Sequence, residues 1–486
     1  MARGIGAIGG VAYIGVSFGL ALVCHRVGRQ LFDDEVLTLN AVDGKSFGDV
    51  ARFYLHGGDV HPPLSFLWFR LGQSLGLSLD IQRAISFALA AAGFAFVLDL
   101  VWRRLPRRSP GAQLLALALF LGAPMLYGAG DALRWYPLLE FLVAASMWSV
   151  FVAGRPTLIG AALLGLAGDT SFLAVVPALA YAVWRYAVER RLDPLRDLAF
   201  WLVAAMIAAP GLLAFFAARD LLASQLASST IAGLGTDLLG LAGGTILGLS
   251  QSLLAVPLLV VLAIGLWSAF AAPGRGYGGD VRGFGALLMV GVALVALLGH
   301  DKPRSFLFAL PWLCAVATLG GAAWRRPLSL GAPAVAASVA TFLFLVLAGP
   351  YNDRPFKRNA AVPVDAVIDY VRQQSAPRTL IVSAEPVSGY RLAAHADAAT
   401  SCVYVRSLAG PCRPGQDADF ATVIVIDDGT LAQDPEAARL VADVTGGRPP
   451  LEGRRFGLDR DAALKTRLTG VALTDYLVQV SVYRRD

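Results

Sequence analysis

Asp33-Asp34-Glu35 sets three consecutive carboxylates just after a first apolar stretch, and a histidine backed by two prolines follows at His61-Pro62-Pro63. Carboxylates beside hydrophobic spans are costly to place, which makes them functional candidates by default. Mutual repulsion and partial desolvation raise the basicity of a carboxylate and suit it to general-base work. Adjacent residues do not all point into one cleft, so one or two of the three act. The triplet equally suits a plainer role as the cap and acidic first turn of a helix over 36–42, where it meets the positive end of the helix dipole.

Three further groups carry chemistry. Asp131, Arg134 and Tyr136 stand at the end of another apolar run, and the planar guanidinium of Arg134 matches a phosphate. The alternative is an interfacial anchor, with Trp135 and Tyr136 in an aromatic belt. His300, Lys302 and Arg304 add cations that suit an anionic headgroup, and His61 is able to donate to a phosphate oxygen or to brace its own turn. No metal is called for: the histidines lack the close pairing of zinc sites, and so many cations nearby make direct neutralisation of phosphate simpler than Mg²⁺.

The elements that must position these residues are membrane helices. The chain has 486 residues, 56% hydrophobic and only 16% charged, far more apolar than a soluble protein. Its formal charge of +6 does not signal nucleic acid, because Lys and Arg lie in short clusters between apolar runs rather than in a basic stripe interleaved with aromatics. The run 5–24 is long enough to cross a bilayer and lacks a small-residue cleavage site, so it reads as an uncleaved first span. Apolar segments follow at 64–77, 81–102, 114–127, 137–152, 158–167, 172–184, 198–218, 246–270, 284–298, 306–323 and 328–348.

Arginine clusters at 103–108, 185–196, 275–282 and 325–326 are cytoplasmic by the positive-inside rule, which turns the loops holding 33–61, 131–134, 169–170, 219–237 and 300–304 outward. That orientation requires 64–77, short and opened by Pro62-Pro63, to be a juxtamembrane or re-entrant helix rather than a span. About eleven spans then remain, with an inside N-terminus and an outside C-terminus. The chain is expected to form a transmembrane domain over 1–350, with its active-site loop at 26–63, and a water-facing α/β domain over 351–486. In the latter, 378–383, 421–426 and 476–483 read as strands, 364–373 and 435–444 as helices, and Asp427-Asp428-Gly429 as a turn. No Gly-rich nucleotide fingerprint follows any of these strands. Cys402 and Cys412 are able to pair if this domain faces an oxidising compartment.

Together, Asp34-Glu35 after the first span, Asp59-Val60-His61-Pro62-Pro63-Leu64, Arg83-Ala84-Ile85-Ser86 and Asp131-Ala132-Leu133-Arg134-Trp135-Tyr136 resemble the GT-C superfamily of integral membrane glycosyltransferases. The similarity is to the bacterial branch related to protein O-mannosyltransferases and lipid A aminoarabinose transferases, and it covers roughly residues 5–350. It implies an enzyme of the bacterial inner membrane, with its active site and C-terminal domain on the periplasmic side. Such an enzyme passes a monosaccharide from a polyprenyl-phosphate donor to a hydroxyl of a lipid, glycan or protein acceptor, with inversion and without a cofactor. Carried onto this chain, Asp34 is the base, Glu35 or Asp33 supports it, and His61, Arg83, Arg134, Lys302 and Arg304 hold the carrier phosphate. The second motif departs from the commoner Glu-Ala-Arg-x-Tyr form, since Asp131 stands one position earlier than the usual acid. A transporter or flippase of lipid-linked sugars is the competing class; such proteins place polar groups near the midplane of broken helices and show internal repeats, whereas here the polar groups gather at outward loops.

Overall fold

The computed structural model describes residues 5–23, 33–57, 61–105, 110–219, 267, 278–297, 303–322, 363–393, 401–405, 420–429, 431, 435–457 and 478–484. The chain divides into two compact units, Met1–Gly28 with Val42–Val346, and Arg29–Ala41 with Leu347–Asp486.

The first unit is helical. Its described elements are α1 (Gly6–Val23), with α2 (Asp33–Val42) lying almost wholly in the second unit, then α3 (Phe47–Leu55), α4 (Leu64–Ser74), α5 (Leu79–Arg104), α6 (Pro110–Leu121), α7 (Pro124–Ala129), α8 (Trp135–Ala153) and α9 (Leu158–Gly168). After a 3-10 turn at Phe172–Ala174 come α10 (Val175–Val183), a π-helical turn at Trp184–Val188, α11 (Pro194–Ile207), α12 (Ala209–Ala217), α13 (Gly279–Leu297), a 3-10 turn at Pro303–Ala309 and α14 (Leu310–Ala322).

Local chemistry sets the ends. Ser46 and Asp49 form a reciprocal capping box that starts α3, and the Ser46 hydrogen bonds hold the Asp49 carboxyl below its usual range. Ser78 caps α5 by accepting the Ile81 N–H, and Arg103 and Arg104 close the same helix where the dipole favours cations. At 26 residues α5 is about 39 Å long, enough to cross a bilayer. By length and composition α5 and α8 each qualify as spans among the described residues, and the pair α11 and α12, bent by 53°, makes a third if taken as one. Shorter apolar helices among the described residues include α1, α6, α9 and α14, and the apolar segments expected at 246–270 and 328–348 lie outside the described residues apart from Trp267.

Three expected segments are interrupted, each for a visible reason. The run 114–127 breaks into α6 and α7 at Pro124, which fits the first turn of a new helix but not the interior of an old one. The run 198–218 bends at Ala208, two residues before Pro210, whose ring and missing N–H forbid a straight continuation. The segment 64–77 forms an 11-residue helix, about 16 Å long and too short to span.

Packing relies on small residues. A Cβ added at Gly165 of α9 would stand 2.7 Å from the Ala204 carbonyl oxygen of α11, and one at Gly93 of α5 would run into the Glu140 carboxylate of α8. Such positions let helix backbones approach closely in lipid. The outer faces of α9 to α12 expose Ile159, Leu179, Leu198, Met206 and Phe216, as hydrocarbon-facing surfaces do. Ion pairs gather at one end of the bundle: Arg104 Nε to Asp280 at 2.8 Å, Arg103 to Asp99 at 2.6 Å and Arg185 to Asp197 at 2.8 Å. The Arg104 guanidinium also donates to the Phe151 carbonyl at 3.3 Å, so α5 and α8 run parallel, with their arginine-rich and Gly154 ends together.

The second unit carries a five-stranded sheet in the order β2-β1-β3-β5-β4, with β1 (Thr379–Ser383), β2 (Ser401–Val405), β3 (Thr422–Asp427), β4 (Glu452–Phe456) and β5 (Val478–Arg484). The first three strands are parallel, Ile381 pairing with both Val403 and Ile424, and β5 joins β3 and β4 antiparallel. Helices α15 (Val364–Gln374), α16 (Pro386–Ala393) and α17 (Pro435–Thr445) accompany them, and Leu380, Val382, Val423, Val425 and Ala437 form the core. The Glu385 carboxylate accepts the Val387 and Ser388 N–H groups at the start of α16, and its complete burial pushes it up to about 7. Asp427 Oδ1 accepts from the Gly429 and Leu431 N–H groups, and Gly429 at φ +88° completes the expected turn. Strands β2 and β4 and helix α16 were not legible in the sequence: β2 is five residues long and β4 is charged and mostly exposed. Cys402 lies in β2, and Cys412 is outside the described residues.

Candidate functional site

The His-Pro-Pro turn and the Asp131–Tyr136 segment meet at the end of the first unit opposite the ion-pair cluster. The His61 ring lies 5.7 Å from that of Trp135 and 6.4 Å from that of Phe66, and Tyr54 stacks on Phe66 at 3.9 Å. Pro62 and Pro63 are buried beneath the turn, and Pro63 accepts the N–H groups of Phe66 and Leu67 to start α4. Asp131 is fully buried in the turn between α7 and α8, while Arg134, 8% exposed, is the N-cap residue of α8 in extended conformation. Trp135 and Tyr136 pack edge to face at 4.4 Å, both buried.

Arg83 belongs to this end too. It lies in the second turn of α5, buried, with Asp80 at 3.8 Å, and Phe87 one turn further on packs at 6.1 Å against Tyr127 of α7. The 3-10 turn Pro303–Ala309 packs on α7 and α8. Arg304 is in that turn, although its side chain is outside the description, and His300 and Lys302 lie outside the described residues altogether. His61, Arg83, Asp131, Arg134 and Tyr136 are thus carried by one end of one helical unit.

The acidic triplet takes the plainer of the two places the sequence allowed, in the first turn of a helix. Helix α2 starts at Asp33, so Asp33, Asp34 and Glu35 form its first turn instead of preceding a helix at 36. Glu35 is fully buried, and the stretch Arg29–Ala41 groups with the C-terminal unit, not with the helical unit that holds His61 and Arg134.

One acid beside the His61 turn escaped selection as a site residue. Asp169, in the turn beyond α9, accepts the Leu64 N–H on its main-chain oxygen at 3.1 Å, and its side chain is 8% exposed. Burial pushes its carboxyl up to about 7, the Gly211 N–H opposing that rise, while Oδ1 has no hydrogen-bond partner among the described residues. Nothing in the local sequence marks it, because its setting is built by α4 and α12, which lie far from it along the chain.

An apolar groove of about 370 Å³ opens beside this end, lined by Phe47, Leu64, Leu67, Trp68, Leu71, Leu138, Leu142 and Leu166. Leu64 follows His61 by three residues and Leu138 follows Arg134 by four, so the groove and the cationic end share their walls.

A bundle of short and long apolar helices with a small C-terminal sheet has a membrane fold of the GT-C type. Solved structures that match over nearly the whole chain include two of ArnT from Cupriavidus metallidurans. Its apo form is 13% identical, with a TM-score of 0.59 over 97% of both chains. Its complex with undecaprenyl phosphate is 14% identical, with a TM-score of 0.55 over the same shares. No family model and no curated protein matches the sequence.

Proposed function

We propose that the chain transfers a monosaccharide from a polyprenyl-phosphate donor to an acceptor hydroxyl, with inversion at the anomeric carbon. The observation that carries this reading is the shared wall between the His61 and Arg134 end and the apolar groove: a phosphate on an isoprenoid tail needs cations and a hydrophobic trough side by side. ArnT, which has the same fold, is known bound to undecaprenyl phosphate.

The acceptor oxygen attacks the anomeric carbon as the bond from that carbon to the phosphate oxygen breaks. The acceptor proton passes to Asp34, with Asp33 or Glu35 in support, and the donor diester leaves as polyprenyl monophosphate. Charge grows on the phosphate oxygens in that step, so His61, Arg83, Arg134, Lys302 and Arg304 stabilise the transition state more than the ground state, while Asp131 and Tyr136 line the donor pocket and His300 adds to the cationic rim. About eleven spans, with residues 351–486 on the periplasmic side of the inner membrane, complete the proposal.

The test is purified protein with a labelled polyprenyl-phosphate sugar and a cell-envelope extract. Label is expected on an acceptor with wild type and to vanish with Asp34→Asn at unchanged expression. Wild-type turnover in that variant removes Asp34 from the role, and label that crosses the membrane without a new bond indicates a transporter.

A further inference from the structure

The stretch that carries His61 is flanked by two fixed points, and one short helix touches both. On the N-terminal side, Gly57 closes α3 at φ +76°, so near to α12 that a Cβ there would stand 2.5 Å from the Ala217 carbonyl oxygen. On the C-terminal side, the Leu64 N–H is held by the Asp169 carbonyl at 3.1 Å. Asp169 in turn lies against the first turn of α12, where a Cβ added at Gly211 would meet the Gly168 oxygen at 2.7 Å, the Asp169 Cα at 3.0 Å and Asp169 Oδ1 at 3.3 Å. Between these ends Phe215 of α12 packs edge to face on Phe172 at 5.0 Å.

No side chain of α12's own N-cap residue, Ala208, serves the free N–H groups of that helix. The carboxyl that approaches them is that of Asp169, whose Oδ1 would lie 3.3 Å from a Cβ at Gly211 in the first turn of α12. Gly211 is what allows the approach, since any larger residue would push α12 away.

We propose that Asp169 is a positioning residue for the His61 turn: its carboxyl stands at the N-terminus of α12, its main-chain oxygen fixes Leu64, and α12 acts as a strut that braces Gly57 on one side and Leu64 on the other. The consequence for donor binding rests on the reading of His61 as a phosphate ligand, whereas the mechanical claim does not. An apolar side chain at 169 removes the polar group at the start of α12, while asparagine keeps an oxygen of the same reach there.

Hydrogen exchange of the full chain in phospholipid nanodiscs, without substrate, tests the mechanical claim through the amides of 64–67 and 209–217. Asp169→Leu, and independently Gly211→Ala from the opposite side of the contact, are expected to speed exchange in both segments by about tenfold, with Asp169→Asn close to wild type and α5 unchanged. Loosening of 209–217 alone overturns the proposal, since Asp169 is then only a cap. Unchanged exchange in both segments, or a uniform rise that includes α5, overturns it as well, and if Asp169→Leu does not fold, Gly211→Ala decides. Because no substrate enters, a chain that fails to transfer sugar leaves this result standing. In a preparation that does transfer, loss of activity with Asp169→Leu and its recovery with Asp169→Asn link the strut to the reaction.

Discussion

A buried acid with an unpartnered oxygen is a costly residue, and Asp169 makes the cost measurable. Its carboxyl is raised from 3.8 to about 7 chiefly by burial. The folded chain therefore keeps a proton that the unfolded chain has already lost between those values. The stabilising contribution is complete below about pH 4 and is lost as pH rises through about 7. Asp169→Asn removes that dependence, so its melting temperature is expected to vary less between pH 5 and 8 and to exceed that of wild type at pH 8. Thermal unfolding of both proteins in the same detergent at several pH values checks this, and an asparagine variant less stable at pH 8 contradicts it. The contrast with Asp34 is instructive. The triplet Asp33-Asp34-Glu35 announces itself by composition, and it does open a helix as one reading of the sequence allowed. Asp169 shows nothing until α4 and α12 are folded around it.

At the scale of elements, glycines divide into those that permit contact and those that face open space. Gly165 belongs to the first kind. Alanine there gains about 1 kcal/mol of helix propensity but meets the Ala204 carbonyl and the Ile207 Cβ at 2.7 Å, and overpacking of that kind costs about 1–3 kcal/mol. The backbone oxygen has nowhere to yield, so the second effect wins and Gly165→Ala is expected to lower the melting temperature. Gly10 of α1 has nothing within 4 Å, and Gly10→Ala is expected to leave stability equal or higher. Melting curves of the two variants against wild type separate the cases. The positions of the apolar helices were readable from apolar runs, whereas α3 and the serine caps of α3 and α5 were not singled out in the sequence. The breaks at Pro124 and Pro210 were written in the sequence too, yet a proline in a membrane helix either kinks or ends it, and neighbouring helices decide which.

Across the whole molecule, the arginine-rich end of the helical unit is opposite the end that carries His61 and Arg134. The positive-inside rule predicts that the former faces the cytoplasm. With the four native cysteines replaced by serine, Ser46→Cys beside α3 is expected to react with a membrane-impermeant thiol reagent on intact cells, and Arg155→Cys beyond α8 only after permeabilisation. The reverse pattern would invert the orientation and with it the proposed side of the reaction. By itself the sequence determined that the chain is a membrane protein with a polar C-terminal part, and it singled out His61, Arg83, Asp131 and Arg134 by residue type and spacing. Hydropathy and charge are sums over local stretches, and a linear chain carries them in full. Only the tertiary structure decided that His61 lies beside Trp135, that Arg83 shares their end of the bundle, that Asp169 is buried against α12, and that the acidic triplet groups with the C-terminal unit. Those facts depend on which helix packs against which, and packing between residues a hundred positions apart leaves no local trace.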